Sequence, residues 1–177
     1  MKKRKKINKK KGILFWITGL SGSGKTLLAK KIKKDIKYLY GPTLVISGDD
    51  VRNIFSLKGY TYRERLHTVK KYCKLVKFLT SQKINVIFAV IGMMDQIRKW
   101  NKKNIDNYIE IYVKSQIEKI IKQKRKKIYF SPKKNIVGLD IKPEFPKNPD
   151  IIITNNFKND LNELSKILIK KINNLID

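Results

Sequence analysis

Short apolar runs alternating with amphipathic stretches predict an α/β protein, a mostly parallel five-stranded sheet with helices on both faces. Three observations carry that prediction. Five runs rich in Ile, Val, Phe and Tyr have strand length, the segments between them carry helical spacing, and a glycine-rich loop joins the first run to the first helix. The 177 residues and 41% apolar content fit one domain with a core of ordinary size.

The chain opens with "MKKRKKINKKK", expected to be a disordered, solvated basic tail over 1–11 ahead of a single domain over 12–177. The basic stretch before an apolar run imitates a secretion signal, but that run leads straight into "SGSGKT", and cleavage there would destroy the loop. Strands are expected at Ile13–Thr18, Thr43–Ser47, Asn85–Val90, Tyr108–Val113 and Asp150–Thr154. Helices are expected near Lys25–Tyr38, Arg63–Gln82, Asp95–Lys103 and Ser115–Lys127. A last helix over Leu161–Ile176 places Leu161, Leu164, Leu168, Ile172 and Leu175 on one stripe, and "DLNE" offers it a capping-box start. Gly41–Pro42 marks the turn before the second strand. The proline-bearing span near 126–148 has little periodicity and reads as a long ordered loop or lid.

The formal charge of +28 resembles a nucleic-acid footprint, but its composition argues otherwise. Lysine far outnumbers arginine, the residue that makes bidentate contacts to phosphate and guanine. Lysine, isoleucine and asparagine are abundant while alanine occurs only at Ala29 and Ala89, the pattern of an AT-rich coding sequence. No specific nucleic-acid partner is therefore expected, and a binding role for the basic surface would show as salt-dependent affinity. Cys73 alone cannot form an internal disulfide, fits a reducing cytoplasm and reads as a packing residue. No run has the apolar length of a membrane helix.

"GLSGSGKT", Gly19, Leu20, Ser21, Gly22, Ser23, Gly24, Lys25 and Thr26, matches G-x-x-x-x-G-K-[ST] between a predicted strand and a predicted helix. Such a loop turns successive N–H groups toward phosphate oxygens, its lysine adds a positive charge, and its threonine hydroxyl can ligate Mg²⁺. The helix that follows aims its positive end at the same phosphates. This P-loop implies a nucleoside triphosphate, with ATP as donor and Mg²⁺ as cofactor. A GTPase would carry an N-K-x-D guanine signature; "NKKNID" has the wrong spacing and lies before a strand. A short chain with one such loop indicates a small kinase. After the second strand, "VISGDDVRN" sets Asp49, Asp50 and Arg52 at a strand's carboxyl end. Asp49 there can take a hydroxyl proton, hold Mg²⁺ or, like Asp50, cap a helix, and Arg52 can clamp an anion.

From about Ile13 to Ile153 the chain resembles adenylylsulfate (APS) kinases. The family's "GLSGSGKT" is complete, its D-G-D-x-x-R appears as "SGDDVR", and its G-[FY]-S-x-x-D-R-x-x-N appears as "GYTYRERLHT". "IGM" (Ile91 to Met93), "KKIY" (Lys126 to Tyr129) and "NIVGLD" (Asn135 to Asp140) follow in the family's order. The resemblance implies a P-loop nucleoside triphosphate hydrolase fold, ATP-dependent phosphorylation of the 3′-hydroxyl of adenosine 5′-phosphosulfate, and a possible homodimer. It implies Lys25, Asp49 and Arg52 as catalytic residues. It implies Asp49, Arg52, Tyr60, Arg65, Ile91, Lys126 and Ile136 around the acceptor nucleotide, with Arg52 and Arg65 gripping its phosphate–sulfate end and Tyr60 on its base.

Departures from the pattern fall on the acceptor side. Ser47 replaces the first acid of D-G-D, Thr68 the asparagine of R-x-x-N, Gly92 the serine of "ISP", and Gln123–Lys124 the "RD" before the lid. Arg125 could substitute for that arginine, shifted by two. Ile136 stands where a phenylalanine stacks on adenine in many members, a loss worth roughly 1–3 kcal/mol. Glycine at 92 has no hydroxyl, so direct transfer is the one option there. "MMDQIRKWNKKNIDNYIEIYVK" and "NIVGLDIKPEFPKNPDIII" resemble a divergent branch that includes enzymes acting on other nucleotides, such as cytidine diphosphoramidate. Three expectations stand side by side: APS as acceptor, another 5′-modified nucleotide, or a degraded kinase that binds nucleotide without turnover.

Overall fold

The computed structural model describes residues 4–123, 129 and 135–176. Five strands, β1 (Leu14–Thr18), β2 (Thr43–Ser47), β3 (Asn85–Val90), β4 (Tyr108–Lys114) and β5 (Ile151–Thr154), form one sheet in the order β2-β3-β1-β4-β5. Every pairing among them is parallel, so the expected "mostly parallel" sheet is parallel throughout its named strands. Parallel neighbours need crossovers, and the helices supply them: α1 (Lys25–Tyr40), α2 (Gly48–Ile54), α3 (Tyr62–Ser81), α4 (Asp95–Asn104), α5 (Ile117–Lys122) and α6 (Leu161–Leu175).

Why the first strand is apolar at every position follows from where its side chains go. Ile13, Phe15 and Ile17 pack with Leu28, Ile32 and Ile36 of α1 and Leu168 and Ile172 of α6. Leu14 and Trp16 point the other way, into a cluster with Val69, Tyr72 and Val76 of α3 and Ile97 of α4. A strand covered on both faces loses the polar half of its alternation. Each fully buried side chain of this size contributes about 1.5–3 kcal/mol relative to exposure. A third cluster, Leu20, Met93, Tyr112, Ile120 and Val137, sits at the carboxyl end of the sheet and ties the P-loop to the segment after α5.

The sequence-predicted elements agree with the structure to within two residues at most ends. α1 runs on to Tyr40 before Gly41 stops it. α5 begins at Ile117 rather than Ser115, and the part of its expected span beyond Gln123 lies outside the described residues. α2 was not expected as an element of its own. "SGDD" builds it: the Ser47 hydroxyl accepts from the Asp50 N–H, and the Asp50 carboxylate accepts from the Ser47 N–H. At α6 only half of the expected capping box forms, with Asp160 accepting from the Glu163 N–H.

The basic tail expected over 1–11 is docked along its described part. Lys5 Nζ pairs with Asp150 Oδ2 at 2.7 Å and donates to the Tyr108 carbonyl, while its own N–H donates to Leu175 O. Asn107 exchanges side-chain hydrogen bonds with the backbone of Asn8, at 2.8 Å and 2.9 Å. Lys5 is held by an acid and a carbonyl at the end of the sheet, while Lys6, Lys9, Lys10 and Lys11 stay exposed. Cys73 is buried as expected of a packing residue, and burial pushes its thiol up to about 12. Among the described residues no helix is long and apolar enough to cross a membrane.

Candidate active site

Three loops at the carboxyl ends of β1, β2 and β3 open into one cleft of about 210 Å³, the place where parallel α/β sheets bind ligands. The first loop is the P-loop, whose Ser21, Gly22, Lys25 and Thr26 line the cleft. Its backbone leaves no room for side chains: a Cβ on Gly19 would lie 2.6 Å from the Val113 carbonyl oxygen and 2.9 Å from Ser23 Oγ. Gly24 starts α1 in a left-handed conformation, with no side-chain cap and no acid in the first turn. The first N–H groups of this sixteen-residue helix are thus presented to the cleft without a side-chain acceptor. The Ser23 hydroxyl is buried with no partner. Lys25 is buried and its Nζ donates to the Leu20 carbonyl at 2.6 Å, which holds the ammonium inside the loop. An uncapped helix end, an unsatisfied hydroxyl and a lysine over a glycine cradle fit a phosphate chain. Thr26, half-buried on the same wall, fits as the hydroxyl ligand of an accompanying Mg²⁺. Leu20 does not reach the cleft; its side chain packs with Met93 and Tyr112. The loop is braced from outside, by Asn155 Nδ2 donating to Ser23 O at 3.0 Å and Tyr129 Oη donating to Ser21 O at 2.8 Å.

Beyond Lys25 lies the second wall. With Asp50 consumed by the α2 cap, Asp49 is the carboxylate that remains on the cleft, exposed, beside Gly48. Tyr72 fixes that turn by donating to Gly48 O at 2.9 Å, and burial pushes its hydroxyl up to about 12. Arg52 holds the next loop: one terminal nitrogen donates to the carbonyls of Leu57 and Gly59, at 2.9 Å and 3.1 Å. Those two carbonyls do not exhaust a guanidinium with five N–H donors. Arg65 donates to Tyr60 O at 2.7 Å and, across the cleft, to Asn135 O at 2.9 Å. Both guanidiniums lie against the Tyr60 ring, at 4.6 Å for Arg52 and 5.1 Å for Arg65. Burial, reinforced by the like charge of Arg52, lowers the Arg65 pKa from the usual arginine range. Two cations brought together around an aromatic ring make a strong anion-binding corner.

The third wall combines the loop after β3, Ile91 to Met94, with Val137, Ile141 and Lys142. The Thr18 hydroxyl donates to Ile91 O and anchors that loop to β1. Of the acceptor residues expected from sequence, Asp49, Arg52, Tyr60, Arg65 and Ile91 share this cleft. Ile136 does not line it; it is buried, and its neighbour Val137 faces the cleft instead. The turn built on Ile136, whose carbonyl accepts from the N–H groups of Leu139, Asp140 and Ile141, aims the next side chain inward. Lys126, like Lys124 and Arg125, lies outside the described residues. Thr68 is buried in α3, and Gln123 closes α5. Tyr62, Tyr72, Tyr129 and Lys142 went unnoticed in the sequence as site residues. For Tyr129 the signal was present in "KKIY".

Comparison with known proteins places this architecture. A family model described as adenylylsulphate kinase matches residues 11–154. The chain is 32% identical over 163 residues to the cytidine diphosphoramidate kinase of Campylobacter jejuni, covering 90% of this chain and 95% of that one. It is 29% identical over 174 residues to the adenylyl-sulfate kinase of Clostridium kluyveri, covering 93% and 86%. The Mycobacterium tuberculosis APS kinase, solved in complex with AMPPNP and APS, superposes with a TM-score of 0.81 at 21% identity, over 92% of this chain and 98% of the other, which establishes the shared fold.

Proposed function

Because the chain belongs to the adenylylsulphate kinase family and is a phosphotransferase, we propose that it moves the γ-phosphoryl group of ATP to the 3′-hydroxyl of adenosine 5′-phosphosulfate. The observation that carries this reading is a single cleft lined both by Lys25 and Thr26 of the P-loop and by Asp49, Arg52, Tyr60 and Arg65. A donor and an acceptor can meet there without either leaving the protein.

Backbone N–H groups of the P-loop and Lys25 bind the donor's β- and γ-phosphates. Thr26 would hold Mg²⁺, which when bound neutralises charge on the transferring group. Arg52 and Arg65 hold the anionic 5′ end of the acceptor, and Tyr60 offers a ring to its base. Asp49 accepts the proton of the attacking 3′-hydroxyl. Gly92 has no hydroxyl to carry the phosphoryl group, so at that position direct transfer from donor to acceptor is the one option. Catalysis consists mainly of positioning and charge neutralisation.

A second reading keeps the same transfer but makes cytidine diphosphoramidate the acceptor. The Campylobacter jejuni relative supports it, as does the aliphatic Val137 on the third wall, which offers no ring to stack on adenine. Incubation with ATP, Mg²⁺ and APS, followed by ³¹P NMR of the product, tests the first reading. A new 3′-phosphomonoester resonance with stoichiometric ADP is expected, and ADP release with APS unchanged would overturn it.

A further inference from the structure

Helix α4 starts without a local cap: Met94 is its N-cap residue and has no side chain to offer. The missing acceptor comes from a segment 49 residues away, where Glu144 Oε2 accepts from the Asp95 N–H at 2.6 Å. The other oxygen of that carboxylate accepts from Tyr62 Oη at 3.0 Å, at the first residue of α3. The Glu144 N–H donates to Met93 O at 3.2 Å, in the loop after β3. One residue therefore joins three elements, which reach the cleft through Tyr62, Met93 and Met94. Three and two residues before it come Ile141 and Lys142, and Val137 lies on the same wall. The far end of this segment is held by Arg65, through its hydrogen bond to Asn135 O.

We propose that Glu144 is a positioning residue for the acceptor: its carboxylate clamps segment 135–145 onto the amino ends of α3 and α4. The clamp keeps Val137 and Ile141 as the apolar face and Lys142 as a third cation, with Arg52 and Arg65, for an acidic nucleotide. Glu144 itself touches no reacting atom; it acts through the side chains it holds in place. The P-loop is braced separately, by Asn155 and Tyr129, so the clamp bears on acceptor binding and not on ATP. This inference rests on the proposed transfer to a nucleotide acceptor.

The test uses the full chain with Glu144→Ala, Glu144→Gln and Tyr62→Phe. Hydrogen exchange on the nucleotide-free protein is expected to show Glu144→Ala losing protection in 135–145 and the first turn of α4, with the P-loop unchanged. In steady-state assays the acceptor KM rises about tenfold, the size of one lost charge-assisted hydrogen bond, while the ATP KM stays constant. Glu144→Gln recovers most of the affinity, since an amide oxygen still accepts from Asp95 and its nitrogen can donate to the tyrosine oxygen. Tyr62→Phe gives a smaller rise, and combining it with Glu144→Ala adds little, because both remove one clamp. Unchanged exchange in 135–145, or equal rises in the KM of ATP and acceptor, would overturn the proposal. If wild type phosphorylates no nucleotide, the proposed function fails, and the exchange result alone still decides whether Glu144 clamps the segment.

Discussion

Replacing Gly92 by alanine probes how tightly the cleft is built onto the core. The residue has φ of +45°, where a Cβ is strained, and that Cβ would lie 3.0 Å from Val90 Cγ1 and 3.1 Å from Trp16 Cζ2. Trp16 cannot yield: it is fully buried and stacked on Phe88 with ring centroids 5.2 Å apart. The left-handed backbone costs a non-glycine residue about 1 kcal/mol and overpacking adds about 1–3, so the variant loses roughly 2–4 kcal/mol. For a chain of this size that is a drop in Tm of roughly 4–16 °C. Serine suffers the same strain, but its hydroxyl can accept from Trp16 Nε1, a buried donor with no partner. Gly92→Ser should therefore melt about 1 kcal/mol above Gly92→Ala and still below wild type. Scanning calorimetry of the three proteins decides it. An alanine variant that melts within about 1 °C of wild type would refute the packing argument. Direct transfer also predicts that the wild-type protein, incubated with γ-labelled ATP, retains no label.

Lys25→Ala should lower turnover by at least ~10²-fold in ADP-release assays, since it removes the charge set over the donor phosphates. Arg65→Lys should raise the acceptor KM about tenfold with the ATP KM unchanged, because an ammonium cannot span Tyr60 O and Asn135 O as the guanidinium does. Glu110 gives a pH test: burial raises its carboxyl above the usual range, only partly countered by Arg98 at 3.3 Å. A raised folded-state pKa gives stability that is present below the unfolded value and lost as pH rises through the folded one. Glu110→Gln should then gain in Tm over wild type between about pH 4 and pH 7, and a gap that narrows with rising pH would contradict this. Cys73, its thiol pushed up to about 12, should stay unmodified by a disulfide reagent near pH 8 until the protein is unfolded.

What could be read from the residues, and what could not, divides by distance along the chain. β1 and the P-loop were legible because their physics is local: an all-apolar run marks a strand buried on both faces, and glycine spacing marks the cradle. α2 was missed although "SGDD" held its capping pair, because seven residues are too few to show a helical period. Within the acceptor wall, Ile136 was expected where Val137 stands. A tight turn sets which neighbour faces inward, and no periodicity crosses that loop. Glu144 had no local signal at all, since the helix end that it caps and the tyrosine that it meets are far away in sequence. The docked residues near Lys5 were hidden for the same reason: Asn107 lies 99 residues on from Asn8, and Asp150 lies 145 residues on from Lys5.

The most direct test of the account compares kcat/KM for APS and for cytidine diphosphoramidate, with ATP and Mg²⁺ held at saturation. Saturable ADP release with both activity on APS and a 3′-phosphorylated product is predicted, with APS the better acceptor. Turnover of cytidine diphosphoramidate alongside silence with APS would contradict it and leave the second reading in its place.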